Sequence, residues 1–272
     1  MILETIKPTG DRKTRFYNSQ KNTFGLLPGI EGSCPCATTA EGGCWNIPKG
    51  RKTPNCYVAG TMSAYSGVKG VLEHNTRILM TATREIKELI LIAEFDRFYR
   101  AELKRKAKGL PYSLKYRLHW SGDIFNEDYA WALKVAITLF PGIEFWGYTR
   151  SFFAVPILCD LPNLVLYLSL DPVNVQAGLS AFNENKTTTN KLQICYMSKT
   201  NDFANHLSRT QQILDEENKL RKIMKQEQKE NWAAKSVLRD CPVDAGRMLL
   251  DGGCAKCGGC ICDKPRAVWF ET

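Results

Sequence analysis

The chain has 272 residues, of which 44% are hydrophobic, and carries 37 Lys and Arg against 28 Asp and Glu for a formal net charge of +9. That length can bury a substantial core, and no run of 18 apolar residues is present to span a membrane. The opening "MILETIKPTG" reaches a proline and a glycine before an apolar segment can form, so no cleavable signal is expected and the protein is placed in the cytoplasm. In that compartment eleven cysteines point to metal or redox chemistry rather than to disulfides. No Walker loop, dinucleotide glycine fingerprint or Ser-His-Asp constellation is evident, which argues against nucleotide hydrolysis and serine hydrolysis.

Residues 1–33 read as an extended lead-in with a turn at "LLPGIEG". They run into "SCPCATTAEGGCWNIPKGRKTPNCY", where Cys34, Cys36, Cys44 and Cys56 share a segment too broken by glycine and proline for a good helix or strand. Over 71–109 the apolar residues Ile86, Leu89, Ile90, Ile92, Ala93 and Phe95 recur at helical spacing, and the stretch closes on Lys108 and Gly109. One long amphipathic helix is expected there. "LKYRLHWSGDIF" alternates like a strand and breaks at Ser121-Gly122-Asp123, after which a helix capped by Asn126 follows. "IEFWGYTRS", "NLVLYLSLDP" and "LQICYMS" predict three further strands. Strands alternating with helices or loops imply a parallel sheet with crossovers, in which ligands bind at the carboxyl ends of the strands. Two units are expected: an α/β core over 1–205 containing the cysteine loop 34–56, and a segment over 206–272 with a basic helix at 213–239 and a second cysteine group.

Polar residues collect where those strands end: His119, Ser121 and Asp123, then Tyr148, Thr149 and Arg150, then Ser169, Asp171 and Asn174. Taken singly, Asp123 and Asn126 could be helix caps, Arg150 an ion-pair partner and Asp171 the start of a turn. Three consecutive strands ending alike point instead to a shared pocket. In the second cysteine group, Cys254, Cys257 and Cys260 repeat with two residues between them, and Cys241 precedes a proline. That tight triple with a distant fourth cysteine favours iron-sulfur ligation over zinc, with Cys262 spare. Cys159 and Cys195 lie in apolar or strand-like runs and read as buried small hydrophobes. The positive charge, concentrated in "LKRKAKG", in "KGRK" within the cysteine loop and in the 213–239 helix, suggests nucleic acid as a partner. Part of it is equally readable as a solvated face of paired charges. No zinc-finger, helix-turn-helix or RNA-recognition motif specifies a binding mode.

"SCP" followed by spaced cysteines and "CY", "RLHWSGDIFNEDYAWAL", "IEFWGYTRS", "NLVLYLSLDP", and a closing "CP" with its cysteine triple together resemble the phage and plasmid gene product 88 family over residues 18–262. The same features are more distantly similar to a phage family with radical S-adenosylmethionine (SAM) character. Radical SAM enzymes are partial (β/α) barrels in which three cysteines after the first strand bind a four-iron four-sulfur cluster whose fourth iron is left open for SAM. The resemblance thus implies a partial barrel-like parallel sheet with a cysteine-rich C-terminal extension. It implies a cluster on Cys34, Cys44 and Cys56, with Cys36 the other candidate ligand, although eleven residues part Cys44 from Cys56 where the radical SAM spacing is short. SAM contacts fall on Ser121, Gly122, Asp123, Arg150 and Ser169, where an Arg fork suits a carboxylate. An auxiliary cluster falls on Cys241, Cys254, Cys257 and Cys260.

Two functional classes follow. One is a redox enzyme with two 4Fe-4S clusters, SAM and a reductant protein, acting on a nucleotide, nucleic acid or small metabolite. The other is a basic nucleic-acid-binding protein without catalysis, stapled by structural iron-sulfur or zinc sites.

Overall fold

A computed structural model describes residues 3–10, 14–40, 42–187 and 190–198, together with the strand backbones 238–240 and 267–271. Five parallel strands run in chain order across the sheet: β1 (Thr23–Gly25), β2 (Lys115–Ser121), β3 (Glu144–Thr149), β4 (Leu164–Leu170) and β5 (Leu192–Ser198). Two more parallel strands, β6 (Leu238–Asp240) and β7 (Ala267–Glu271), continue it in the order β1-β2-β3-β4-β5-β7-β6. The connections carry α1 (Tyr57–Ala64), α2 (Ser66–Met80), α3 (Arg84–Ala107), α4 (Glu127–Thr138), the short α5 (Val155–Leu158) and α6 (Val175–Asn185).

The parallel sheet and the four strands expected after residue 110 are present, and α4 starts at its expected cap, the Asn126 side chain accepting from the Tyr129 amide at 2.9 Å. Two local expectations are corrected. The lead-in contains β1, a three-residue strand that the amino-terminal extended stretch did not disclose. The single helix expected over 71–109 is two helices broken at residues 81–83, where Thr83 takes up extended backbone and caps α3 by accepting from the Ile86 amide at 3.4 Å. A β-branched residue with a hydroxyl one atom from the backbone competes for these amides, so the apolar period runs through a real boundary. The basic helix of 213–239 lies mostly outside the described residues, and its last two positions, Leu238 and Arg239, belong to β6.

The core is one-sided. Residues of α2 to α6 join Tyr116, Phe145, the β4 leucines 164, 166, 168 and 170, Leu192 and Ile194 in a single apolar cluster. Because strand side chains alternate, Trp146, Val165, Tyr167 and Cys195, also buried, lie on the opposite face of the sheet. β2 bends where the site begins. Thr23 pairs with Arg117 but Gly25 with Ser121, so two steps of β1 match four of β2. His119 takes φ +44° inside that bulge, and the pairing of β2 with β3 runs only from Lys115 to Arg117.

Candidate metal and cofactor site

Past the bulge, β2 ends in Ser121-Gly122-Asp123. Ser121 donates its hydroxyl to the Leu26 carbonyl at 2.7 Å, and its own carbonyl accepts from the Leu26 amide at 2.8 Å, which locks the ends of β1 and β2 together. Gly122 has φ +84°, and a Cβ there would stand 2.3 Å from Ser33 Oγ and 2.5 Å from Leu26 Cβ. Only glycine fits that close approach in left-handed backbone. Asp123 is buried and is read by three donors: the Ile124 amide at 2.7 Å and the Thr149 hydroxyl at 2.7 Å on Oδ1, and the Arg150 amide at 2.8 Å on Oδ2. Burial raises its pKa, while the bonds from Thr149, Arg150 and Ile124 oppose that rise. Asp123 is therefore the clamp between the β2 and β3 ends.

Arg150 follows β3 and is itself buried. Its Nη2 pairs with Asp171 Oδ2 and donates to Thr38 Oγ1 at 3.2 Å. Asp171, fully buried after β4, also accepts from the Thr38 hydroxyl at 3.3 Å and from the Val173 and Asn174 amides at 2.9 and 3.1 Å. Arg150 Nε and Nη1 are buried with no hydrogen-bond partner among the described residues. Unpartnered guanidinium N–H groups are costly in a low-dielectric interior; Nε and Nη1 lie on different edges, so each is a separate donor for an acceptor such as a carboxylate oxygen. Ser169 is buried on β4 and its hydroxyl holds the Cys195 thiol, which burial nonetheless pushes up to about 12.

The cysteine loop is laid over these strand ends. Ser33 donates to the Leu27 carbonyl at 2.9 Å and accepts from the Asp123 amide at 3.3 Å, Thr38 bridges Arg150 and Asp171, and the Tyr57 hydroxyl donates to the Trp120 carbonyl. Cys34, Cys44 and Cys56 are mutually close enough that their charges act on one another: both others raise the Cys34 pKa, and Cys44 raises that of Cys56. Burial is the main reason all three thiols are pushed up; amides of Val58 and Ala59, at the start of α1, oppose it at Cys56. Cys36 feels different neighbours. Burial and then Asp123 raise it, while the Ser151 hydroxyl and Arg150 lower it. Among the described residues no three His, Cys, Asp or Glu side chains are gathered tightly enough to hold one metal ion.

Of the site residues expected from sequence, Ser121, Gly122, Asp123, Arg150, Ser169 and the four loop cysteines therefore meet at one end of the sheet. Cys241, Cys254, Cys257, Cys260 and Cys262 lie outside the described residues. Ser33 and Thr38 were not anticipated, because a serine and a threonine in an irregular loop carry no pattern that distinguishes a buried partner from a solvated one.

A family model described as Gene product 88 matches residues 4–262. The chain belongs to that family. Among curated proteins it is similar to the Gene 88 protein of Mycobacterium phage D29, at 31% identity over 188 residues, covering 65% of this chain and 72% of that protein. The Gene 88 protein of Mycobacterium phage L5 is 32% identical over the same length and coverage. No solved structure matches. The Gene product 88 match begins before β1 and includes every residue of the rim and cysteine loop described above. None of the described helices is long and apolar enough to cross a membrane.

Proposed function

We propose that this Gene product 88 protein is an iron-sulfur redox enzyme of radical-SAM-like type, with its open cluster on Cys34, Cys44 and Cys56. The observation that carries the proposal is the meeting of Cys34, Cys44 and Cys56 with the unpartnered Nε and Nη1 donors of buried Arg150 at the carboxyl ends of parallel strands. A cube of four irons puts each cysteine sulfur on a different iron, so it suits thiols that feel one another without crowding round a single ion. Zinc would instead take four ligands in a tetrahedron around one ion.

The strand order supports a barrel-like closure. A doubly wound sheet reverses order and places helices on both faces. Here the first five strands follow chain order and α2 to α6 pack in one core cluster on one face, which fits a sheet that covers its opposite face by curling. Bound to the open iron, SAM would receive an electron from the reduced cluster, and its reductive cleavage is the chemistry the group supplies. The chain's part is to hold and orient. Arg150 Nε or Nη1 would donate to the carboxylate of SAM, Asp123 Oδ2 has one lone pair left for the amino group, and Gly122 allows the close approach of Ser33 and Leu26 that sets this strand end. Ser121 donates its hydroxyl to the Leu26 carbonyl, which fastens β1 to β2 and leaves its oxygen able to accept. Cys241, Cys254, Cys257 and Cys260 supply the auxiliary cluster.

Protein purified without oxygen is expected to be brown and to contain about eight irons per chain with matching sulfide, from two clusters. Adding SAM to the reduced protein should change the electron paramagnetic resonance spectrum and release 5′-deoxyadenosine. Cys34→Ala, Cys44→Ala and Cys56→Ala should each abolish both. Arg150→Lys, which keeps the charge but loses the Nε and Nη1 donors, should retain iron and weaken the spectral response to SAM. Zinc alone after expression in iron-replete cells, or a loaded protein indifferent to SAM, overturns the proposal.

A further inference from the structure

At the opposite end of β2 from the cysteines, α3 closes in "LKRKAKG" and leads through Leu110, Pro111 and Tyr112 back into the sheet. Lys104, Lys106 and Lys108 are exposed there, and none pairs with an acid among the described residues. The nearby acid on their own helix, Glu102, is buried and already used: Tyr17 donates to one oxygen and the Ser113 amide to the other at 2.8 Å. Its charge is therefore turned inward and does not offset the lysines outside.

Aromatic rings stand among these cations. Arg105 lies over the Tyr17 ring at 3.6 Å while its Nε donates to the Pro111 carbonyl at 2.7 Å, and Lys106 lies over Tyr112 at 5.5 Å. Phe16, Leu110 and Tyr112 are each at least 40% exposed. Gln20 fastens the two loops by donating to the Ser113 carbonyl at 3.3 Å and accepting from the Phe16 amide at 2.7 Å, so both loops are held beside the end of α3, with Tyr112 under Lys106. Positive charge at a helix C-terminus complements the macrodipole. That accounts for the lysines, but not for exposed rings held beside them.

We infer that this surface, formed by the end of α3 and the 14–20 and 110–113 loops, docks single-stranded nucleic acid, the lysines neutralising phosphates and Tyr112 and Phe16 stacking on bases. The chemistry selects the occupant: a polyanion alone would use the lysines and leave the rings in water, whereas every base has a face for an aromatic side chain. An anionic membrane or acidic peptide supplies charge without that stacking partner. β2 spans seven residues, which at about 3.3 Å per residue sets this surface roughly 20 Å from the cysteine rim. It is a docking surface separate from the chemistry, and the inference stands whether or not the protein binds iron or SAM.

The test is fluorescence anisotropy with labelled 20-nucleotide single-stranded DNA, single-stranded RNA and duplex DNA over a salt series. Single strands of either sugar are expected to bind more tightly than duplex, and the preferred sugar identifies the source. Lys104→Glu/Lys106→Glu/Lys108→Glu should weaken binding by about tenfold or more and flatten the salt slope by about 2. Tyr112→Ala should weaken single-strand binding about tenfold while leaving the salt slope unchanged. A matched reversal in the cysteine loop, Lys49→Glu/Arg51→Glu/Lys52→Glu, should have less than a third of the effect. Circular dichroism of each variant checks that it is folded. Equal affinity for duplex, an indifferent Tyr112→Ala, an effect of the loop reversal equal to that of the α3 reversal, or no binding at low salt each overturns the inference.

Discussion

His119 sits inside a strand at φ +44°, a backbone region that a side chain with a Cβ enters only when its surroundings enforce it. Its ring meets Phe24 edge-on at 5.0 Å and shares a hydrogen bond of 2.6 Å with the Tyr129 hydroxyl. Burial, and then the Arg117 charge, lower its pKa from 6.5 to about 3. The folded state thus refuses a proton that the unfolded chain takes up. Its contribution is full above pH 6.5 and is lost as pH falls from there toward 3, at no more than about 1.4 kcal/mol per pH unit. Urea denaturation of the wild type against His119→Asn, which tolerates left-handed backbone but does not titrate, should show that extra slope only in the wild type. Gly122 is the second backbone constraint at this scale. Gly122→Ala must relieve both the positive φ and the 2.3 Å approach to Ser33 Oγ, so a loss of about 1–3 kcal/mol is expected in the same assay.

Two helices show how elements aim the rim. α4 begins four residues after Asp123, and the Asn126 cap fixes where the chain turns away from the strand end. Asn126→Ala should lower stability by about 1 kcal/mol and Asn126→Asp by much less, since aspartate keeps the acceptor and favours the helix N-terminus; thermal unfolding checks both. α3 is less simple than its apolar period. It buries Lys87, Glu94 and Glu102 alongside Ile90, Leu91, Phe95 and Phe98. Lys87 donates to the Ala82 carbonyl at 2.7 Å, and Glu94 accepts from Tyr116 at 2.8 Å and from Arg97 at 2.6 and 2.8 Å. Burial holds the Glu94 carboxyl above its ordinary range despite those bonds. These charged residues fasten α3 to the sheet and the lead-in, which is why the lysine-rich end of the helix stands at a defined place.

Across the whole molecule, the cysteine loop is the part with least regular structure, tied to the sheet by Ser33, Thr38 and Tyr57. Metal held by Cys34, Cys44 and Cys56 would close two short loops within it, each closure removing chain entropy. Removing metal with a chelator should therefore expose the loop to trypsin at Lys49, Arg51 or Lys52 while β3, β4 and α4 remain protected. Mass spectrometry of the first fragments reads the outcome. Early cleavage in the sheet connections, with the loop resistant, would separate the loop's order from the metal.

The strands β2 to β5 and the cap of α4 are determined by sequence alone, because alternation, near-continuous apolar runs such as "LVLYLSL" and an asparagine before "EDYAWAL" are local signals read within one element. The polar rim was legible for the same reason: Asp123, Arg150 and Ser169 each follow a recognisable strand. What tertiary structure decided is how they are used. β1 is only Thr23–Gly25 and exists because it pairs with a bulged β2; three residues carry no period. Ser121 reaches the Leu26 carbonyl across 95 positions of sequence, Thr38 reaches Asp171 across 133, and Cys36 feels Asp123, Ser151 and Arg150. Those outcomes depend on which surfaces meet when a long irregular loop folds back over strand ends. Such meetings are set by packing between distant segments, for which no local pattern in the chain provides a signal.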